Sequence, residues 1–171
     1  QFEVERMVAA ILNYSSLERI VRDTITYTRQ RMTFGQPILW NQAVQFRLAE
    51  LLTEIAMLKA FCYQTIERMV AGEQITTDAA MAKLKVGRLA REVTDSCLQY
   101  YGGMGYMEET PIARAFRDAR LISIGGGADE IMLGIICKNE GMTPTRAELA
   151  ALKASASPPA IPPTTTQAAK A

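Results

Sequence analysis

Tyr101-Gly102-Gly103-Met104-Gly105-Tyr106, then Pro111, then Arg117-Asp118-Ala119-Arg120, then Gly125-Gly126-Gly127-Ala128-Asp129-Glu130-Ile131 decide the reading of this chain. Glycine destabilises a helix interior. Two glycine clusters interrupting helical patterns therefore mark backbone that bends sharply or meets another group closely. Arg114, Arg117 and Arg120 lie between the clusters. The layout suits a helical bundle with an anionic ligand at its helix ends.

Upstream of the glycines, Val4, Val8, Ile11, Leu17, Val21, Ile25 and Thr28 recur at helical spacing and predict a long amphipathic helix over 3–32. Thr33-Phe34-Gly35-Gln36-Pro37 breaks it. A second helix is expected over 41–71, with Val44, Leu48, Leu51, Leu52, Ile55, Leu58, Cys62, Ile66 and Met69 on one face and Gly72 as its stop. Thr77 or Asp78 is read as the cap of a third helix that carries Met81, Leu84, Ala90, Val93, Cys97 and Leu98 to Gly102-Gly103. Pro111 opens a short helix after Thr110. A last helix runs from Ala128-Asp129 through Ile131, Ile135 and Ile136 to Gly141. Strand alternation is essentially absent. The fold class is all-α: an antiparallel helical bundle over residues 1–142. Residues 143–171, with Pro158-Pro159, Pro162-Pro163 and Thr164-Thr165-Thr166, read as a low-complexity tail. Arg146 to Lys153 adds at most a short helical turn, and the rest is expected to be disordered.

Composition narrows the chemistry. The 171 residues are 49% hydrophobic, enough for one domain with a real core. A net charge of +1 gives no reason to expect nucleic acid. The absence of histidine removes imidazole zinc sites and any Ser-His or Cys-His pair, so no metal is expected. Cys62, Cys97 and Cys137 have no metal-ligand spacing and read as reduced intracellular thiols. No apolar run reaches the roughly 20 residues of a membrane span. The chain starts within a pattern at Gln1-Phe2-Glu3-Val4-Glu5 and reads as a fragment, so the lack of a targeting segment carries no weight. Chemistry here falls to carboxylates or to a bound cofactor.

Three blocks carry a resemblance: Arg31-Met32-Thr33-Phe34-Gly35-Gln36-Pro37-Ile38 with Gln42; Gln99-Tyr100-Tyr101-Gly102-Gly103-Met104-Gly105-Tyr106; and Arg117-Asp118-Ala119-Arg120 through Ile124-Gly125-Gly126-Gly127. In this order and spacing the chain resembles the C-terminal part of the acyl-CoA dehydrogenase family across about residues 1–141. The resemblance implies FAD as cofactor, an acyl-CoA substrate, a homotetramer built as a dimer of dimers, and an electron-transferring flavoprotein as electron acceptor. It implies an intracellular setting, either bacterial cytoplasm or mitochondrial matrix. It further implies that Arg31, Phe34 and Gln42 reach the FAD of a neighbouring subunit, that Thr33 binds the cofactor with them, and that Gln99, Gly102 and Gly103 form a second FAD-contacting segment. Local physics offers other roles for the same residues. Arg31 suits the end of a helix dipole, Phe34 a core plug, and Gly102 a helix C-cap. Arg117-Asp118 reads as structural.

The chain departs from one branch of the family. Where many members carry a catalytic glutamate before the final helix, this chain has Gly126, which takes no proton. Either the activity is lost or the base comes from elsewhere. Phe2-Glu3-Val4-Glu5-Arg6-Met7-Val8 looks like the helix that carries the base in the isovaleryl and long-chain branches. The resemblance makes Glu5 the catalytic base and Glu3, Arg6 and Gly126 substrate-binding residues. A carboxylate with its pKa raised in an apolar pocket removes the weakly acidic α-proton of a thioester at neutral pH. The function implied is α,β-dehydrogenation of an acyl-CoA thioester. The family's N-terminal helical and middle β domains are not among these residues. Two other readings are an acyl-CoA oxidase and a non-catalytic helical oligomerisation module.

Overall fold

The structure, a computed structural model, describes residues 2–155. Helix α1 (Phe2–Gln30) buries Met7, Ala10, Tyr14, Leu17, Val21, Thr24 and Thr28. Helix α2 (Gln42–Val70) buries Val44, Leu48, Leu51, Ile55, Leu58, Cys62 and Thr65. Both sets step by three and four, the heptad seam of helices packed side by side. The seam differs from the expected stripe at the start of α1. Val4 and Val8 are exposed, and the buried register begins at Met7. Hydrophobicity alone also passed over Thr24 and Thr65. Their hydroxyls donate to the carbonyls of Ile20 and Phe61, both at 2.8 Å, so each enters the core without an unpaired group.

Helix α3 (Thr76–Tyr101) is the central element, and it packs most extensively on α1. The two run parallel. Thr76 donates to Glu3 at one end, while Tyr27 stacks on Tyr101 at 4.0 Å at the other. Helix α2 is antiparallel to both, zipped by Lys59–Glu18, Lys85–Glu54 and Arg47–Glu92. Such exposed pairs contribute about 0–1 kcal/mol each, so they set register more than stability. The start of α3 corrects the sequence reading. Ile75 occupies the cap position with no side-chain bond, and Asp78 instead accepts from Arg68 at 2.8 Å. Gly72 stops α2 as expected: at φ +82 it lets Glu73 N–H reach Arg68 O and its own N–H reach Met69 O.

After the short α4 (Gly103–Tyr106), Pro111 opens α5 (Pro111–Ile122), and α6 (Asp129–Asn139) follows. Both run antiparallel to α3. The start of α5 lines a cleft with Tyr101, Asp129 bonds Arg91, and Asn139 bonds Thr77 at 3.0 Å. Together they form one fourth helix of the bundle, broken at residues 123–128. Of the apolar residues expected to bury α6, Ile131 is exposed, and Met132 instead enters the core. The only strands among the described residues are the two-residue pair β1 (Met32–Thr33) and β2 (Gln36–Pro37). The expected first helix therefore ends at Gln30 rather than 32, where the hairpin takes over.

The tail departs in part from the disorder expected of it. Arg146–Ser155 is a helix, α7, of ten residues, all exposed. Thr145 and Glu148 form a reciprocal capping box: Thr145 N–H donates to Glu148 Oε2 at 2.6 Å, and Glu148 N–H to Thr145 Oγ1 at 3.2 Å. The proline and threonine runs beyond it lie outside the described residues.

The break in the fourth helix needs Gly87. A Cβ there would stand 2.9 Å from Ser123 Oγ and 3.2 Å from both Ser123 Cα and Asp129 Oδ1. Gly87→Leu should destabilise the protein by about 1–3 kcal/mol in denaturant unfolding despite the better helix propensity of leucine. The thiols supply a second check. Burial pushes Cys62 and Cys97 up to about 11, whereas Cys137 is half-buried at the bundle surface. At pH 8 a disulfide reagent should titrate Cys137 in the native protein, and Cys62 and Cys97 only on unfolding.

Candidate functional site

The predicted site residues separate into two groups at opposite ends of α1. At its C-terminal end, Arg31 Nη1 donates to Tyr100 O at 2.6 Å, and its guanidinium crosses bare Gly102. Arg31 thus complements the carboxyl end of α3 rather than that of its own helix. Gly102 has φ +59, and a Cβ there would lie 2.5 Å from Arg31 Nη2. Gly102 is thus the C-cap of α3 and the place where Arg31 comes close to the backbone. Gly103 has open space where a Cβ would project, and Gln99 and Gln42 are exposed beside it at the ends of α3 and α2.

Thr33 pairs with Gln36 across the hairpin, leaving Phe34 and Gly35 as the turn. Both have positive φ, +52 and +83, as a two-residue type I′ turn requires. Phe34 is fully exposed at the tip, which overturns its reading as a core plug. A bulky residue held in the left-handed region is strained, and such strain concentrates at binding sites.

At the other end, Glu5 is exposed on the first turn of α1. It shares its face with Phe2, Val8 and Leu12, at positions i−3, i+3 and i+7, all exposed. A carboxylate amid apolar surface is desolvated by anything that covers that surface. Glu3 is held by the Thr76 hydroxyl. Arg6 is half-buried, and its Nε makes no hydrogen bond among the described residues.

Gly126 sits in the break of the fourth helix at φ +68 and is exposed. No atom lies within 4 Å of where its Cβ would be, so the position is spacious but poorly suited to a side chain. The turn begins a groove of about 520 Å³ between α1 and α5, lined by Ala9, Asn13, Ser16, Ala115, Ala119 and Gly125 among others. Ala9 lies one helical turn beyond Glu5.

The residues that organise this end escaped the sequence reading. Lys83, Gly87 and Arg91 form an i, i+4, i+8 stripe on α3 facing the break. Buried Lys83 donates through Nζ to Gly127 O, and Arg91 Nη2 meets Asp129 Oδ2 at 3.2 Å. Burial pulls the Lys83 ammonium below its ordinary value. Asp129 opposes that shift, Arg6 adds to it, and Glu130 opposes it. Ser123 Oγ and Asp129 Oδ1 are buried without partners among the described residues. A lone glycine in mid-helix with a cation one turn to each side was the available signal. The arginines between the glycine clusters are partly absorbed elsewhere: Arg117 pairs with Glu108 at 2.8 Å, in keeping with a structural role.

Comparison with known proteins places this geometry. Residues 1–141 match the family model described as acyl-CoA dehydrogenase, C-terminal domain. A probable acyl-CoA dehydrogenase of Escherichia coli K12 is 37% identical over 132 residues, 77% of this chain and 34% of that protein. The mitochondrial long-chain specific acyl-CoA dehydrogenase of Rattus norvegicus is 39% identical over 134 residues, 78% of this chain and 31% of that protein. The crystal structure of an acyl-CoA dehydrogenase from Geobacillus kaustophilus superposes with a TM-score of 0.79 at 40% identity, covering 81% of this chain and 37% of that one. The chain spans about a third of the length of these relatives. No described helix is long and apolar enough to cross a membrane.

The hairpin supplies the prediction for this site. Phe34→Asn, which tolerates the left-handed region, should leave stability unchanged or raise it by about 1 kcal/mol, read from the denaturation midpoint.

Proposed function

Since this chain belongs to the acyl-CoA dehydrogenase family, as its C-terminal helical domain, we propose that it completes an FAD-dependent enzyme that forms a trans-2-enoyl-CoA from an acyl-CoA. Residues 1–142 are the working domain and 143–171 an appendage. The carrying observation is the pairing of Glu5, set in an exposed apolar face, with the Gly126 turn. Both ends of that pairing are tied to α3, through Glu3–Thr76 and Lys83–Gly127.

In this reading Glu5 removes the α-proton, and its carboxylate is made basic when the face shared with Phe2, Val8 and Leu12 is covered. Glu3 holds the first turn through Thr76. Arg6 offers its unpaired Nε to the acyl-CoA. Gly126 makes room for the thioester, and the groove from Gly125 and Ala9 takes the acyl chain. A glutamate at 126 would have to adopt φ +68, which is why the carboxylate is better carried on a helix here.

The other end of α1 fits a dinucleotide. The Arg31 fork suits pyrophosphate, bare Gly103 allows close approach, and the exposed Phe34 ring offers a flat apolar face. Arg31, Thr33, Phe34, Gln42, Gln99, Gly102 and Gly103 would hold FAD. When bound, FAD supplies the acceptor for the β-hydride. Glu5 and Arg31 stand roughly 40 Å apart along one helix, at about 1.5 Å per residue. This distance supports a site shared between copies, with the Arg31 end serving a neighbour's flavin in a dimer of dimers. An electron-transferring flavoprotein is the proposed reoxidant, in bacterial cytoplasm or mitochondrial matrix. Oxygen consumption by the full-length protein would indicate an oxidase instead, and purification without flavin would indicate an oligomerisation module.

In the full-length FAD-loaded protein, Glu5→Gln should keep flavin and acyl-CoA binding while anaerobic flavin reduction slows by about 10²-fold or more. A normal reduction rate in that variant would refute the assignment.

A further inference from the structure

Glu5, Arg6 and Gly126 leave one buried group without a role. Lys83 is 1% exposed and is the largest of the fully buried side chains. Burying an ammonium is costly unless it is well hydrogen-bonded, and a methionine would fill the same space without that cost. Packing therefore does not explain a lysine here. Its hydrogen bond does: Nζ reaches across from α3 to the carbonyl oxygen of Gly127.

The turn that receives this bond is closed at its ends by backbone bonds, Gly125 N–H to Leu121 O at 2.7 Å and Asp129 N–H to Ser123 O at 3.1 Å, and its middle carries none of its own among the described residues. Gly125, Gly126 and Gly127 have no side chains, and Gly126 and Gly127 sit at φ +68 and +110. Even a Cβ at Gly127 would stand 2.7 Å from Met132 Cε. Three successive glycines sample many backbone states unless something outside the turn restrains them. Ser123 N-terminal to the turn and Asp129 after it are buried, and Asp129 is tied to Arg91. Between those anchors, Lys83 supplies the side-chain hydrogen bond that reaches the glycines among the described residues. The helix that carries Lys83 also holds the first turn of α1, through Thr76 and Glu3, so one rod touches both that turn and the break.

We infer that Lys83 is a positioning residue: its ammonium, bonded to Gly127 O, fixes the Gly125–Ala128 turn opposite the first turns of α1 and so sets the gap in which a thioester meets Glu5. The inference rests on the reading of Glu5 as base. Lys83 acts through the turn and touches no reacting atom.

The test uses the full-length FAD-loaded protein with Lys83→Met. The limiting rate of flavin reduction by acyl-CoA should fall about tenfold or more, while the acyl-CoA dissociation constant changes less than about threefold. Amide hydrogen exchange over residues 124–128 should accelerate about tenfold or more, with exchange in the α2 core unchanged. Lys83→Arg, which keeps the cation and donors, should recover part of both. Wild-type reduction and exchange in Lys83→Met would overturn the inference. So would acceleration spread evenly through α1, α2 and α3, the mark of a merely structural lysine. If Lys83→Met does not fold, Lys83→Gln, a shorter neutral donor, is read by the same criteria. If Glu5→Gln is reduced normally, the base assignment fails by itself, and exchange at 124–128 still decides whether Lys83 holds the turn.

Discussion

The Lys83–Gly127 hydrogen bond and the approach it spans organise the functional half of this bundle. α3 can come close to the broken fourth helix because Gly87 has no side chain to keep Ser123 and Asp129 away. Once that close, the stripe has to satisfy polar groups with no water around them. Buried Lys83 meets a carbonyl and exposed Arg91 meets the buried Asp129 carboxylate, so the polar stripe runs from the interior to the surface. An unbroken fourth helix would need none of this. The break requires unpaired backbone near the core, and the stripe supplies partners for it.

The same central helix links the two ends of the molecule. Near its start it holds Glu3 through Thr76, and at its carboxyl end it receives Arg31. The turn proposed to bear the base and the end proposed to face the flavin are thus both referenced to one rod. Heptad seams on α1 and α2 lock that rod along its length. Helices packed this way resist bending, so a change at one end of α1 is not transmitted by flexing. The distance between the ends is a dimension of the domain set by the length of α1.

The exposed apolar residues have a common meaning. Phe2, Val8 and Leu12 around Glu5, and Phe34 at the hairpin tip, lie in the two places where the chain is proposed to meet other groups. Apolar surface of this kind marks contact with further protein or ligand. The relatives, about three times longer, provide chain enough to cover it.

The sequence by itself determined the main helices, their order and the stop of α2 at Gly72. Apolar spacing, Pro111 and Gly72 act within a few residues and need no knowledge of partners. The motifs at 31–42, 99–106 and 117–127 likewise identified the family. The register of α1 was less legible: Val4 and Val8 are as apolar as Met7, and only the packing partner selects which face is buried. α7 was underestimated because its capping box is a local device that composition hides. No local pattern singles out Lys83 or Asp129 as buried. Their burial depends on residues some 40 positions away, brought together only when the fourth helix breaks against Gly87. Sequence spacing fixed which residues share a helix face. Only the tertiary structure decided which faces meet, because that choice is made by close packing and by the pairing of buried groups such as Lys83 with partners distant in sequence.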